Sequence, residues 1–209
     1  MAKMNPVVLY GAWYVGDVVA ELVQLLGLPL AGFVDPQPAP WNTSLHRVLD
    51  DAVVHVSIGD PGVRANVSAR LREHHRHFVS LFHPTAVVSP SAKMGDGIYL
   101  AEHATVRTGA SLGSGVQLQA GAIVSHHCVI ADFVSVGVGS TIASRCEVGT
   151  GTLIGAGAVL RPGVAVGKNC TVGAGAVVVK DVSDGLTVAG NPARPIDPNP
   201  DPVVQSDWQ

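Results

Sequence analysis

The hydrophobic residues of this chain recur at every sixth position through a long central stretch. From Val88 to Val178 every member of this register is aliphatic or Met, and no insertion interrupts it. A period of six fits neither the helical period of 3.6 residues nor the strand period of two. It predicts a parallel β-helix of hexapeptide repeats, with three hexads in each coil. The register is Val88, Met94, Leu100, Val106, Leu112, Leu118, Val124, Ile130, Val136, Ile142, Val148, Ile154, Leu160, Val166, Val172 and Val178.

A second register of mostly small or β-branched residues, from Ala86 to Ala176, lies two positions before the first. We expect each aliphatic residue to point inward and to stack on its equivalent in the next coil, about 4.8 Å away. The glycines near the corners, such as Gly113, Gly137 and Gly155, are expected to adopt turn conformations that a side chain would penalise.

Short apolar runs alternate with helical patterns ahead of the repeats. The runs cover residues 6–10, 30–35, 52–60 and 78–82. One helical pattern follows Gly16 and ends at Leu26, and the other extends from Pro61 to His74. This alternation predicts a small Rossmann-like α/β domain over residues 1–83. The β-helix would follow over residues 84–194, and the Pro- and Asp-rich residues 195–209 would form a disordered tail.

In a parallel sheet of this type, ligands bind beyond the carboxyl ends of the strands. The predicted substrate-binding residues therefore lie after these strands: Gly11, Trp13, Tyr14, Asp35, Gly59 and Asp60.

Composition narrows the class of protein further. The formal net charge is −3 and no basic run occurs, which argues against a nucleic-acid groove. No apolar run approaches the length of a membrane span, and the first residues leave no room for a signal peptide, so a cytoplasmic protein without a membrane partner is expected. Three cysteines do not form a secreted disulfide framework, and Cys128 and Cys146 are predicted to stack as buried thiols.

The hexads and three further segments all resemble the same protein family. The segments are residues 83–88, 125–130 and 189–193. Together they resemble the sugar O- and N-acetyltransferases related to sialic acid O-acetyltransferase and to the bacillosamine and perosamine N-acetyltransferases. The resemblance covers nearly the whole chain up to about Arg194. It implies a left-handed β-helix, a homotrimer with active sites between subunits, acetyl-CoA as the acyl donor, and a sugar or nucleotide-sugar acceptor held by the first domain.

The resemblance also implies roles for individual residues. His126 matches the general base that removes a proton from an acceptor amine or hydroxyl. His127 is a candidate for a second catalytic role, and Gln119 matches an active-site amide that contacts substrate. The implied CoA-binding residues are Ser144, Gly155, Ala156, Gly173 and Ala174. Ser144 is also expected to stack on His126, because it follows one coil later.

Several positions depart from the family pattern. Trp13 and Tyr14 replace two glycines of the first loop, and Asp17 replaces a lysine. These changes would obstruct and repel a diphosphate, so the sequence leaves open whether the loop admits a nucleotide. His127 stands where an acidic residue often follows the catalytic histidine, and Ser135 stands where a second histidine is often found.

Arg64 matches a position that is often arginine in the family, but it equally fits an exposed helix arginine.

Two other functions stay open. A trimeric binding or scaffold protein that has lost its acceptor would also retain the β-helix. A zinc enzyme of the γ-carbonic-anhydrase type shares the fold, but His103 and His126 are not spaced to stack and no His-x4-His pair occurs. No metal is expected for this reason.

Overall fold

The computed structural model describes residues 4–12, 14–35 and 51–197. The described part of the first domain contains a three-stranded parallel sheet of order β2-β1-β3 with two helices. Its elements are β1 (Val7–Tyr10), α1 (Tyr14–Leu25), β2 (Leu30–Val34), β3 (Val53–Val56) and α2 (Pro61–Glu73). Both helices agree with the sequence pattern. Gly27, at φ +66°, follows the end of α1, and Pro61 occupies the first turn of α2, where a proline loses no hydrogen bond.

The prediction that residues 78–82 form a fourth strand of this sheet was wrong. Phe78 makes only an isolated parallel bridge to Val54, and the next strand, β4 (Leu81–Phe82), pairs with residues 99–100 of the solenoid. The reason is register: Phe82 lies six residues before Val88, so the hexad pattern begins one strand earlier than the sequence suggested.

The remainder is a β-solenoid of about six turns, which fits the predicted left-handed β-helix. Its strands build three faces. After β4, these strands are β5 (Val87–Val88), β6 (Lys93–Met94), β7 (Tyr99–Leu100), β8 (Thr105–Val106), β9 (Ser111–Leu112), β10 (Gln117–Leu118), β11 (Ile123–Val124), β12 (Val129–Ile130), β13 (Ser135–Val136), β14 (Thr141–Ile142), β15 (Glu147–Val148), β16 (Leu153–Ile154), β17 (Val159–Leu160), β18 (Ala165–Val166), β19 (Thr171–Val172), β20 (Val177–Val178), β21 (Thr187–Ala189) and β22 (Arg194–Ile196).

Each face is a sheet of strands from successive coils. Face I contains β4, β7, β10, β13, β16, β19, β21 and β22; face II contains β5, β8, β11, β14, β17 and β20; face III contains β6, β9, β12, β15 and β18.

The aliphatic register forms the core of the solenoid, as the six-residue period predicts. Val124 pairs with Val106 below and Ile142 above, and all three side chains are fully buried. Each coil is also joined to the next through the backbone; for example, the Ser125 N–H donates to the Ile142 carbonyl at 2.9 Å. These ladders leave the corners free to carry functional side chains.

The reason for the corner glycines differs from the one expected. Gly113, Gly137 and Gly155 do not have positive φ; instead, a Cβ at Gly137 would lie 2.6 Å from the backbone nitrogen of Ala156 in the next coil. Close approach of two coils, rather than turn conformation, excludes a side chain there. The left-handed conformation falls at other corner positions, including Gly121 and the non-glycine residue His127, at φ 58°.

The first domain packs on face I. Tyr99, Gln117 and Ser135 point outward from this face, yet they are only 2%, 1% and 6% exposed. They are covered because the first domain lies over them, and Val7 and Leu9 of β1 share a hydrophobic cluster with Tyr99. Face II, by contrast, has no such cover in the described structure.

The three cysteines are free and buried, as predicted. Their thiols donate to backbone carbonyls of the solenoid; Cys128, for example, reaches the Ala143 carbonyl at 3.0 Å. At the end of the solenoid, residues 195–196 lie in β22, which pairs antiparallel with β21, and so are not part of a tail. Residues 198–209 of the predicted tail lie outside the described residues.

In the described part of the chain, neither helix is long or apolar enough to cross a bilayer.

His55 is expected to make the stability of the protein depend on pH. It is fully buried in β3; its Nδ1 donates to the Val79 carbonyl at 3.0 Å, and burial lowers its pKa to about 4. Between that pH and about 6.5, the unfolded chain binds a proton that the folded chain does not, so the free energy of unfolding falls as the pH falls. The contribution is at most about 1.4 kcal/mol per pH unit.

Urea unfolding at several pH values across this window measures the effect. His55→Gln should flatten the dependence, whereas the same substitution at the exposed His103 should leave it unchanged. Equal slopes for the His55 variant and the wild type would contradict this assignment.

Candidate active site

His126 and Ser144 meet at the corner between face II and face III, here called the II/III corner. His126 follows β11 and is exposed, and its Nε2 lies 2.7 Å from the Ser144 hydroxyl of the next coil, eighteen residues along the chain. The predicted stacking of these two residues is thus confirmed. The Ser125 hydroxyl lies 3.3 Å from that of Ser144, and the Arg145 N–H donates to the His126 carbonyl at 3.0 Å. The corner therefore presents an accessible imidazole whose ring is held by a hydroxyl.

His127 turns away from this pair toward the preceding coil. Its backbone is left-handed, its N–H donates to the Thr108 carbonyl at 3.0 Å, and a Cβ at Gly109 would lie 2.5 Å from its Nδ1. The rings of His126 and His127 meet edge to face, with centroids 5.5 Å apart. His127 therefore packs on the corner of Gly109 and supports the His126 ring by contact.

The residues that resemblance assigns to CoA fall on two different corners. Gly155 and Ala156 follow β16, and Gly173 and Ala174 follow β19, so all four lie between face I and face II, at the I/II corner. Ser144 lies instead at the II/III corner beside His126. Gln119, which follows β10, joins the first group and is half-buried. The width of face II thus separates His126 from four of the predicted donor residues within one chain.

The described acceptor residues predicted to follow these strands do lie at the carboxyl ends of β1, β2 and β3, but several carry structural bonds. A carboxylate oxygen of Asp35 accepts the Ala12 N–H at 2.9 Å, and the Ser57 hydroxyl donates to the Gly11 carbonyl at 2.8 Å. Asp60 caps α2 by accepting the Val63 N–H at 2.7 Å. These bonds order the loops that surround the crevice.

The other three predicted acceptor residues differ in what the structure shows. Tyr14 opens α1 and is 65% exposed, so its ring is accessible to a ligand. Gly59 is exposed directly before the cap of α2. Trp13 lies outside the described residues.

Arg64 is the main residue whose environment sequence reasoning missed. It is 1% exposed, although α2 has no strong apolar face that would have indicated burial. Its guanidinium bonds the carbonyls of Ile58 and Gly59 at 2.7 and 3.0 Å and the Ser135 hydroxyl at 2.8 Å.

The described residues do not form a metal-binding site. Among the described residues, no group of three or more His, Cys, Asp or Glu side chains could hold a metal ion.

Sequence comparison identifies the repeats. The family model "Bacterial transferase hexapeptide (six repeats)" matches residues 145–180. The UDP-N-acetylbacillosamine N-acetyltransferase of Bacillus subtilis is 35% identical over 60 residues, which cover 29% of this chain and 28% of that protein.

Solved structures match over almost the full length. A variant of the GDP-perosamine N-acetyltransferase of Caulobacter crescentus, in complex with CoA and GDP-perosamine, is 30% identical with a TM-score of 0.86, covering 94% of this chain and 99% of that one. The acetyltransferase domain of PglB from Neisseria gonorrhoeae, in complex with acetyl coenzyme A, is 31% identical with a TM-score of 0.86, covering 93% and 100%. WeeI from Acinetobacter baumannii is 25% identical with a TM-score of 0.78, covering 93% and 100%.

Proposed function

Because this chain belongs to the hexapeptide-repeat family of sugar N-acetyltransferases, we propose that it transfers the acetyl group of acetyl-CoA to the amine of a nucleotide-linked amino sugar. The observation that carries the proposal is the exposed His126 imidazole, held at 2.7 Å by Ser144 on a fold that matches sugar acetyltransferases over its length. The relatives support the substrates: one was solved with CoA and GDP-perosamine and another with acetyl coenzyme A.

In the proposed reaction His126 acts as a general base. It removes a proton from the acceptor amine while the nitrogen attacks the carbonyl carbon of the thioester. A backbone N–H of a neighbouring coil stabilises the oxyanion of the tetrahedral intermediate. Collapse of the intermediate breaks the C–S bond, and the leaving thiolate takes the proton back from His126. The products are the N-acetylated sugar and CoA.

Ser144 takes over an orienting role in this proposal. The acidic residue that often follows the catalytic histidine in the family is His127 here, and its ring packs on Gly109 instead. The Ser144 hydroxyl, at 2.7 Å from Nε2, restricts the rotation of the His126 ring and biases its tautomer. We therefore assign Ser144 to the base rather than to CoA.

The site would be assembled between subunits of a homotrimer. His126 lies at one edge of face II, whereas the predicted donor corner and the first domain lie at the other edge, so one chain does not bring them together. Face II itself exposes apolar side chains; Val87, Ile123 and Val159 are 58%, 38% and 38% exposed. Burying this face around a threefold axis would place His126 of one subunit against the I/II corner of its neighbour.

The first domain, of Rossmann type, would hold the acceptor. Its strand ends carry Gly11, Asp35 and Gly59, and its exposed Tyr14 ring offers a surface on which a base or sugar can stack. Gln119 lies on the I/II corner, next to the face on which this domain packs, where its amide can bind the sugar.

Release of free thiol from acetyl-CoA tests the function directly. The purified protein is incubated with acetyl-CoA and a panel of amino sugars, each both free and linked to UDP or GDP. We expect thiol release only with nucleotide-linked amino sugars, and none with the corresponding N-acetylated product. Absence of release with every acceptor, together with no calorimetric binding of acetyl-CoA, would reject the proposed function in favour of a binding or scaffold protein.

A further inference from the structure

Arg64 joins helix α2, face I of the solenoid and the loop between β3 and α2. The proposed function requires these three parts to keep fixed relative positions. Arg64 lies in the first turns of α2 and is 1% exposed. Toward the solenoid, its Nε donates to the Gly115 carbonyl at 2.9 Å, and its Nη2 donates to the Phe133 carbonyl at 3.0 Å and to the Ser135 hydroxyl at 2.8 Å. Nε and Nη2 are thus both engaged on the solenoid side.

The same guanidinium also holds the loop that connects β3 to α2. Its Nη1 donates to the carbonyls of Ile58 at 2.7 Å and Gly59 at 3.0 Å. The Gly59 carbonyl additionally accepts the Ser135 hydroxyl at 3.4 Å, and the Ile58 carbonyl accepts an amide N–H of Gln117 at 3.4 Å. The loop of residues 57–60 is therefore bound to face I through its carbonyls, and the fork of Arg64 is the centre of that contact.

A simple packing residue would not need this arrangement. A buried cation is expensive unless its donors are satisfied, and these donors bond neutral oxygens rather than a carboxylate in direct contact. Burial lowers the pKa of Arg64 to about 10, so the guanidinium still carries its charge at neutral pH. The planar fork of arginine matches five separate acceptors, which the single ammonium of lysine cannot do.

We propose that Arg64 is a positioning residue: it locks the loop of residues 57–60 onto face I and so fixes where the acceptor lies relative to the donor corner. The inference rests on the proposed function for its kinetic consequence, because the loop includes Gly59 and Asp60 of the predicted acceptor site. Its structural half, the locking of the loop, does not depend on that function.

Arg72 provides a matched control on the same helix. It too ties α2 to the solenoid, through two hydrogen bonds to the Asp96 carboxylate at 2.8 and 2.7 Å. The side chains of this pair are each 42% exposed, and Arg72 has no hydrogen bond to the loop of residues 57–60 among those of the described structure. Loss of Arg72 removes a link between domain and solenoid without releasing the loop.

The experiment compares Arg64→Lys with Arg72→Gln in the full-length protein by two measurements. The first is backbone amide hydrogen exchange, read separately for residues 57–63 and for the solenoid. The second is steady-state kinetics with each substrate varied in turn. For Arg64→Lys we expect exchange at residues 57–63 to rise at least about tenfold while the solenoid is unchanged, and the KM for the acceptor to rise about tenfold with little change in the KM for acetyl-CoA. Arg72→Gln should change neither.

Two other outcomes overturn the proposal. Unchanged exchange at residues 57–63 in Arg64→Lys would show that the loop does not depend on the guanidinium. A uniform rise of exchange over the whole chain, matched by Arg72→Gln, would show a purely structural role. If no acetyl transfer is found with the wild type, the exchange measurement still decides whether Arg64 locks the loop. Ser135→Ala, which removes the hydroxyl's bonds to Arg64 and to the Gly59 carbonyl while keeping the arginine, gives the same comparison if the lysine variant does not fold.

Discussion

His126→Ala is expected to lower the rate constant of acetyl transfer by about 100- to 10,000-fold, the usual contribution of a general base. The side chain is exposed at a corner and takes no part in the aliphatic ladders, so the mass in solution and the melting temperature should stay those of the wild type. Thiol release at saturating acetyl-CoA measures the rate, and a thermal melt with light scattering checks the fold.

Ser144 and His127 give graded controls for this result. Ser144→Ala should lower kcat by about tenfold, because the ring loses its orienting hydroxyl, whereas Ser144→Thr should retain most activity. His127→Gln should have a smaller effect, since His127 packs on the neighbouring coil. An unchanged rate in His126→Ala would refute its assignment as the base.

Two inactive variants are expected to restore activity when their subunits are mixed. His126→Ala removes the proposed base at the II/III corner. Ala156→Trp blocks the proposed donor path at the I/II corner, and its side chain can extend outward because Ala156 is exposed. If each site takes one corner from each of two subunits, random mixing in equal amounts should return about one quarter of wild-type activity, because about one quarter of sites then pair two intact corners.

The mixing experiment needs proof that mixed oligomers form. The two variants are co-expressed with different affinity tags, and species carrying both tags are purified before the assay. In each mixed trimer one of the three sites pairs two intact corners, so this selected sample should show about one third of wild-type activity. Each variant co-expressed with a differently tagged copy of itself should remain inactive. Doubly tagged oligomers without activity would show that the site does not combine these two corners across an interface.

The solenoid was predictable because its period is a direct consequence of stacking. Each inward residue such as Val124 touches its equivalents one coil above and below, so the pattern repeats without interruption. The start of the solenoid was harder to predict: Phe82 reads equally well as the end of an isolated strand, and only pairing with Leu100 assigns it to the first coil. The turn conformation predicted for the corner glycines was wrong for a related reason. The close approach between coils that excludes a side chain cannot be seen in the sequence of a single repeat.

The II/III corner was partly predictable for the same geometric reason. A separation of eighteen residues is sufficient to stack Ser144 on His126, and the structure confirms it. Ser144 lies at a different corner from the other CoA candidates because it follows a strand of face II and they follow strands of face I. The six-residue spacing determines this assignment, but each residue has to be assigned to its corner individually. The environment of Arg64 depends on contacts with Gly115 and Phe133 far along the chain, and no local pattern specifies those contacts.

The antiparallel pairing of β22 with β21 closes the last rung of face I. A parallel solenoid is a repeating template, and an uncovered final coil presents backbone donors and acceptors to the first coil of another copy. Because β22 runs in the opposite direction and carries Pro195 opposite Val188, it cannot continue the parallel ladder. This hairpin therefore protects the molecule against end-to-end growth into fibres, and a chain cut before Arg194 would be expected to lose that protection.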